Sequence, residues 1–178
     1  MLSNNLLNST NRYVALDVET TGFSPKNDDR VIEIGAVAIE DQSIVAEFSS
    51  LIDVGKKIPW RAQQVHGITN EMLQDEPEPD VVWTEFYNFI AGSILIAHNA
   101  SFDIRFLKHE FALLGMSLNN GSLCTLKMSR KLYPNLPNHK LETVSRYLLG
   151  KSCEQMQMHR ALDDAKLAGM IWLELEKI

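Results

Sequence analysis

The chain has 178 residues, of which 45% are hydrophobic and 22% charged, a composition typical of a globular protein with one core. Its net charge of −6 disfavours a simple basic nucleic-acid-binding module, although clustered carboxylates would themselves make the total more negative. No segment approaches the roughly 20 apolar residues of a membrane-spanning helix, and the N-terminus lacks a secretory signal pattern. We therefore expect a cytoplasmic protein that does not bind membranes, with Cys124 and Cys153 as packing residues.

The first part of the chain predicts three strands. Residues 13–19 alternate apolar and other side chains and are followed by a turn that contains Gly22 and Pro25. Residues 31–39 predict a second strand, and residues 45–52 a weaker third one. The short connections between these strands favour antiparallel pairing.

The rest of the chain is mainly helical in pattern, with a short strand at residues 94–97 and another near Ser122. Residues 1–12 are predicted to be a short polar extension, and residues 13–178 one domain. We expect an α/β sandwich with a mixed sheet, three antiparallel strands plus parallel strands, flanked by helices. The predicted helices cover residues 70–73, 81–91, 101–114 (with Gly115 as its C-cap), 126–132, 140–149 and 161–176.

Two acidic residues stand together at the end of the first predicted strand. Asp17 and Glu19 are two positions apart, so their side chains point to the same face. Two neighbouring carboxylates repel each other and are costly to bury unpaired. A divalent cation would explain the pair, because hard cations prefer oxygen ligands. The alternative interpretation is a solvated strand end.

Further acidic residues lie at the starts of two predicted helices. Asp103 follows the strand at residues 94–97, and Asp163 and Asp164 follow His159 at the last helix. Each acid could simply favour the helix dipole. Taken with the acids of the first strand, however, they lie at strand ends and helix starts, which converge at one edge of a mixed sheet. Two-metal phosphoryl chemistry requires this arrangement.

Three motifs in the chain resemble those of the DEDD exonuclease superfamily, in the branch that has a catalytic histidine. They are residues 17–22 (DVETTG), residues 99–103 (NASFD), and His159 followed five residues later by Asp164. The chain is most similar to the proofreading epsilon subunit of bacterial DNA polymerase III and related exonuclease domains, over roughly residues 13–178. The resemblance implies a ribonuclease H-like fold.

The resemblance also implies an activity and a cofactor. The chain is expected to be a 3′→5′ exonuclease that releases nucleoside 5′-monophosphates from single-stranded DNA ends, as in proofreading or repair. Two Mg²⁺ or Mn²⁺ ions would bind at the active site, and His159 would be the general base. The implied metal ligands, which are also catalytic residues, are Asp17, Glu19, Asp103 and Asp164.

The third motif offers two neighbouring acids as ligands. Asp163, four residues after His159, would share a helical face with it, whereas Asp164 would not. The resemblance selects Asp164, which requires His159 to lie in the loop before the last helix. Asp163 is the alternative ligand.

Other residues are candidates for contacts with the 3′ end of a single-stranded nucleic acid. Phe102 could stack on a base or belong to the core, and His66 resembles a residue near the substrate 3′ end or is structural. Glu33 is not expected to be a ligand. The substrate-binding candidates are Thr20, Thr21, Gly22, His66 and Phe102, and the basic residues Lys127, Arg130 and Lys131 are either a solvated face or backbone contacts.

Two alternative functions stay open at this point. One is a 3′→5′ exoribonuclease of the RNase T type, because a metal site that acts on the phosphodiester does not by itself select DNA over RNA. The other is a non-catalytic polymerase accessory protein, against which the presence of all five chemical residues argues. A DNA polymerase is a candidate partner, although no polymerase-binding tail is visible after the last predicted helix, before Ile178.

Overall fold

A mixed five-stranded sheet forms the centre of the protein. The computed structural model describes residues 12–150, 156 and 159–178. The strands are β1 (Tyr13–Thr20), β2 (Val31–Glu40), β3 (Ser43–Leu51), β4 (Ile94–Ala97) and β5 (Ser122–Cys124). Their order is β3-β2-β1-β4-β5, in which β2 pairs antiparallel with β1 and β3, while β4 runs parallel to β1 and β5. The predicted mixed sheet, with three antiparallel strands extended by parallel ones, is confirmed.

Helices flank this sheet. The sequence predicts all but one of the α-helices that the structure describes, to within a few residues at their ends. The exception is the first helix, whose only buried residue is His66; Trp60 and Val65 are exposed, so it has no apolar periodicity to detect. The helices are α1 (Trp60–His66), α2 (Asn70–Leu73), α3 (Pro79–Phe89), α4 (Ala100–Leu113), α5 (Thr125–Leu132), α6 (Leu141–Leu149) and α7 (Ala161–Glu176).

Alternation along β1 divides its side chains between two cores. On one face, Leu16 belongs to the core cluster formed with α3 and α4. On the other face, Ala15 packs in a cluster with Trp172 of α7. Asp17 and Glu19 continue the second face, because side chains two residues apart on a strand share a face. Both carboxyl groups therefore emerge at the C-terminal end of β1, on the side that α7 covers.

Two glycines allow α7 to lie close to the sheet. A Cβ atom on Gly35 of β2 would stand 2.1 Å from the backbone nitrogen of Leu162. A Cβ atom on Gly169 of α7 would stand 3.1 Å from Ile39 Cδ1. Gly35 is the cross-strand partner of Asp17. The close approach at Gly35 therefore brings the N-terminus of α7 beside the acidic end of β1.

Several sequence-based expectations concern the chain ends and the cysteines. The predicted polar extension lies outside the described residues, except for Arg12, whose guanidinium donates to the Phe89 carbonyl. Cys153 also lies outside them, whereas Cys124 is half-buried against the core. In the part of the chain that the structure describes, no helix is long and apolar enough to span a membrane.

Candidate metal centre and its flanking cavities

Acidic side chains from three elements meet at the C-terminal end of β1. Ligand atoms of Glu19, His159 and Asp164 all lie within 4.8 Å of one another. Asp17 lines the same groove as His159 and Asp164. Asp103, buried in the first turn of α4, is close enough for its charge to raise the pKa of Asp17. The structure therefore brings together the five residues that the sequence motifs single out.

These four carboxyl groups resist ionisation in the metal-free protein. Burial is the largest cause in each case, and it raises the pKa of Glu19 to about 8 and that of Asp103 to about 7. Burial also raises the pKa of Asp164 to about 6. Asp17 has a pKa well above its usual range through burial and the charge of Asp103. A bound divalent cation would favour the ionised carboxylates and offset this penalty.

One oxygen of Asp164 supports a cation site more directly. Its Oδ2 accepts a hydrogen bond of 3.1 Å from the His159 backbone N–H, whereas its Oδ1 is buried without a hydrogen-bond partner among the described residues. A buried carboxylate oxygen is costly when it has no partner, and it is a good ligand for a hard cation. The residues present therefore fit a divalent metal. The exposed ring of His159 is placed to act as a ligand or as a proton acceptor.

The start of α7 decides between the two neighbouring aspartates. His159 lies before the helix with a positive φ of 62°, so helical spacing does not relate it to the acids that follow. Asp164 is buried, and its carboxylate belongs to the group formed with Glu19 and His159. Asp163 is half-buried and is not part of that group. The geometry therefore favours Asp164 as the ligand.

An ion pair between a buried carboxylate and a half-buried arginine lies next to the acidic group. Glu33 of β2 is 2% exposed, and its Oε1 lies 2.7 Å from Arg160 Nη2. Its Oε2 accepts a hydrogen bond of 3.1 Å from the Ala161 backbone N–H, at the start of α7. Glu33 is also the cross-strand partner of Glu19. This pair was not predicted from the sequence, where its one signal is a lone acid in the otherwise apolar run of residues 31–39.

An apolar cavity of about 430 Å³ opens beside Glu19. One wall comes from the turn after β1, another from α1, and a third from the first turn of α4. Phe102 lines the cavity and also packs against the core, where its ring centroid lies 5.0 Å from that of Phe106. All five predicted substrate contacts line this cavity, together with residues that the sequence analysis did not single out: Thr20, Thr21, Gly22, His66 and Phe102, with Phe23, Arg61 and Val65.

His66 presents an unsatisfied donor in this cavity wall. Its Nδ1 accepts a hydrogen bond of 3.0 Å from the Ile68 backbone N–H, which leaves the proton of the neutral ring on Nε2. Burial lowers the pKa of His66, and the nearby Glu33 and the Thr20 carbonyl oppose this effect only in part. Nε2 is buried without a hydrogen-bond partner of good geometry among the described residues. A ligand acceptor would satisfy it.

A second groove, of about 600 Å³, shares Asp17, His159 and Asp164 with the acidic group. Its outer wall is basic, with Arg130 of α5 and Lys140 just before α6. Both side chains are exposed, and neither forms an ion pair with a described residue. The groove therefore combines free positive charge with the acidic group.

Partly buried hydrogen bonds between side chains and backbone hold this basic wall in place. The ring of His98, which follows β4, contacts Thr125 Oγ1 at 2.9 Å and the His139 carbonyl at 2.8 Å. The ring of His139 in turn contacts Ser129 Oγ at 3.0 Å. The segment before α6 is thereby tied to β4 and α5, the elements that border the acidic group.

A mixed sheet of this order, with clustered acids at the ends of β1 and at the starts of α4 and α7, defines a ribonuclease H-like fold. Residues 14–171 match the RNase T family model, which describes an exonuclease. The chain belongs to this exonuclease family.

Similar proteins differ widely in length. The DNA polymerase III subunit epsilon of Aquifex aeolicus is 35% identical over 175 residues, which cover 98% of this chain and 84% of that protein. The 3′-5′ exonuclease DinG of Bacillus subtilis is 39% identical over 169 residues, or 94% of this chain. The PolC-type DNA polymerase III of Clostridium perfringens is 43% identical over 159 residues, or 89% of this chain. The chain spans only 18% and 11%, respectively, of the lengths of these last two proteins.

Solved structures of similar fold include two exonucleases. Exonuclease X in complex with 5′ overhanging duplex DNA has a TM-score of 0.72 and 26% identity, covering 93% of this chain and 90% of that one. Exonuclease I has a TM-score of 0.80 at 14% identity, covering 94% of this chain and 41% of that one. The second likeness concerns the fold alone.

Proposed function

We propose that the chain is a 3′→5′ exonuclease that releases nucleoside 5′-monophosphates from single-stranded DNA ends, in proofreading or repair. One observation carries the proposal. Buried carboxyl groups with raised pKa values lie together with His159, and this group is flanked by an apolar cavity on one side and a basic groove on the other. Membership in an exonuclease family supports it. Two divalent ions, Mg²⁺ or Mn²⁺, are the proposed cofactors, and their ligands are Asp17, Glu19, Asp103 and Asp164.

The proposed chemistry is hydrolysis of the terminal phosphodiester. Bound divalent ions would supply Lewis acidity toward the phosphate and would acidify the attacking water. His159, which is exposed and next to Glu19 and Asp164, accepts the proton from that water. The bond between phosphorus and the 3′ oxygen of the preceding nucleotide breaks, and that oxygen takes up a proton from solvent. The released nucleotide keeps its phosphate on the 5′ side.

The two cavities support a placement of the terminal nucleoside and of the nucleotides that precede it. The apolar cavity would take the terminal nucleoside, because Phe102 and Phe23 offer aromatic surface and His66 Nε2–H offers a donor to the sugar. The groove with Arg130 and Lys140 would take the phosphates of the preceding nucleotides. A cavity that receives one terminal nucleoside beside the acidic group favours removal of end nucleotides over internal cleavage.

The proposal also covers the choice between DNA and RNA as substrate and the binding partner of the protein. An exoribonuclease of the RNase T type is the alternative activity, because the family model that the chain matches describes an exonuclease without naming DNA or RNA. Similarity to an epsilon subunit supports a DNA polymerase as partner. Matched single-stranded DNA and RNA oligonucleotides would separate the two activities by rate. A pull-down with the purified polymerase would test the partner.

The main experiment uses a single-stranded oligonucleotide labelled at its 5′ end, incubated with the protein and Mg²⁺ or Mn²⁺, with and without EDTA. We expect a ladder that shortens from the 3′ end and that EDTA abolishes. Asp17→Ala and His159→Ala should each lower the rate by about 1,000-fold or more while circular dichroism stays native. Release of the label as a mononucleotide, or a folded Asp17→Ala variant with near-wild-type activity, would refute the proposal.

A further inference from the structure

We infer that Glu33 and Arg160 form a positioning pair for the active centre. The pair fixes the start of α7, so that His159 and Asp164 meet the acids of β1, and it does not itself bind metal. This inference rests on the proposed function, because it concerns the geometry of the proposed metal centre. In this arrangement neither residue contacts the substrate or the ions. Both act by fixing the backbone on either side of Arg160, which carries His159 and leads into Asp164.

The contacts of Glu33 use both of its carboxylate oxygens. Oε1 accepts hydrogen bonds from Arg160 Nη2 at 2.7 Å and from Nε at 3.1 Å. Oε2 accepts from the Ala161 backbone N–H at 3.1 Å. With both oxygens engaged, the carboxylate is not free to coordinate a cation. Its position opposite Glu19 therefore makes it a neighbour of the metal centre and not a member of it.

The segment that Glu33 fixes, residues 159–161, includes the proposed general base His159. His159, Arg160 and Ala161 are consecutive, and each is fixed by a hydrogen bond of its own: the His159 N–H to Asp164 Oδ2, the Arg160 guanidinium and the Ala161 N–H to Glu33. The positive φ of His159 is a conformation that non-glycine residues rarely adopt without such support. Release of Glu33 would leave the segment with the bond from the His159 N–H to Asp164 Oδ2 and the one that the Arg160 carbonyl accepts from the Asp164 N–H, and neither of them ties it to the sheet.

Glu33 also replaces a missing helix cap. Arg160 is the N-cap residue of α7, and its own side chain makes no capping hydrogen bond. The Glu33 carboxylate, 128 residues away in sequence, accepts from the first helical N–H, that of Ala161, instead. A negative charge there is favoured by the helix dipole. Arg160 balances the charge, which would otherwise stand unpaired opposite Glu19.

A second ion pair on the same helix provides a matched comparison. Lys166 of α7 binds Glu47 of β3 at 2.9 Å, so it also ties the helix to the sheet through an acid on a strand. Lys166 is 24% exposed and Glu47 48%, and neither contacts the acidic group. A purely stabilising role would make the two pairs alike in their effect on catalysis.

The test compares Glu33→Gln and Arg160→Lys with the control Glu47→Gln. Steady-state kcat and KM are measured on a single-stranded oligonucleotide, the Mn²⁺ midpoint by titration of activity, and the folded fraction by circular dichroism. We expect Glu33→Gln and Arg160→Lys to lower kcat about 10–100-fold, to change KM little, and to raise the Mn²⁺ midpoint. Glu47→Gln should leave all three values close to wild type.

Several outcomes decide the inference. A folded Glu33→Gln protein with wild-type kcat and Mn²⁺ midpoint would overturn it, as would equal losses in Glu47→Gln. If Glu33→Gln does not fold, Arg160→Lys decides by the same criteria, because lysine keeps the charge and loses the fork geometry. If the wild-type protein cleaves no substrate, the proposed function fails. Mn²⁺ affinity measured by calorimetry then still tests the positioning pair by comparing the same variants.

Discussion

Gly35 and Leu162 meet backbone to backbone, since a Cβ atom at position 35 would stand 2.1 Å from the Leu162 nitrogen. Gly35 lies opposite Asp17 in the β1–β2 pair, and Leu162 is two residues before Asp164. The contact therefore sets the distance between the acids of β1 and the acid of α7. A side chain at position 35 would have to displace helix backbone, which cannot rotate out of the way as a flexible side chain can.

Gly35→Ala should accordingly disturb both stability and activity. We expect a loss of about 1–3 kcal/mol in unfolding free energy from overpacking, measured by urea titration. The displaced helix should also lower kcat about 100-fold under conditions where the variant is folded. Gly121→Ala is the control, because a Cβ atom there meets nothing within 4 Å. Equal behaviour of the two variants would contradict the assigned role of the contact.

The neighbouring acids of α7 should differ sharply in effect. Asp164→Asn removes a charge from the group formed with Glu19 and His159, and we expect about a 1,000-fold or greater loss of kcat with folding retained. Asp163→Asn lies outside this group and should keep kcat within about threefold of wild type. Kinetics at saturating Mn²⁺ measure both. The reverse ranking would make Asp163 the ligand.

His66 should contribute to binding of the terminal nucleoside. His66→Phe keeps a ring of similar size but removes the unpartnered Nε2 donor, so we expect KM or the end-product Kd to rise about 5–10-fold. Loss of the bond between the Ile68 N–H and Nδ1 also affects the α1 end, so unfolding curves must accompany the kinetics. Unchanged KM and product affinity would remove His66 from the substrate contacts.

The salt dependence of single-strand binding should show whether the basic groove contacts the phosphates. Arg130→Ala and Lys140→Ala should each weaken single-strand binding and should each reduce the slope of log Kd against log salt by about one unit or less. Lys127→Ala serves as the control, because Lys127 lines a different groove, between α4 and β5. Fluorescence anisotropy in Ca²⁺ or EDTA measures binding without cleavage. A larger effect in Lys127→Ala would move the strand to that other groove.

The raised carboxyl pKa values predict how stability depends on pH. Because the pKa of Glu19 rises from its usual value to about 8, the folded state binds more protons than the unfolded state between about pH 4.5 and 8. The metal-free protein should therefore lose stability as pH rises through this window. Mn²⁺ should restore more stability at pH 8 than at pH 5, since it binds the ionised carboxylates.

Thermal unfolding in EDTA and in Mn²⁺ at several pH values measures this effect. Glu19→Gln is the control, because it removes one of the titrating carboxyl groups and should reduce the loss between pH 5 and 8, to which Asp103 and Asp164 also contribute. A metal-free protein that gains stability over this window relative to Glu19→Gln would contradict the prediction. So would a larger Mn²⁺ effect at pH 5 than at pH 8.

Local patterns in the sequence were sufficient for the sheet and for most helices. Period-two alternation places Asp17 and Glu19 on one face of β1, and the structure has them there. Helix α1 was not predicted because its large apolar residues, Trp60 and Val65, are exposed and it contributes to a cavity wall more than to the core. Because α1 was not predicted, the apolar cavity, which has α1 as one wall, could not be predicted from the sequence either.

The sequence by itself determined the acids, their motifs and the family, because these depend on residue types at short spacing. The family motif already selected Asp164 over Asp163, which helical spacing favours, and the tertiary structure supplied the physical reason, because Asp164 is buried and joins Glu19 and His159. The tertiary structure alone joined Glu33 to Arg160, 127 residues apart. Contacts between distant segments depend on how helix α7 docks on β2, and no local pattern encodes that docking distance.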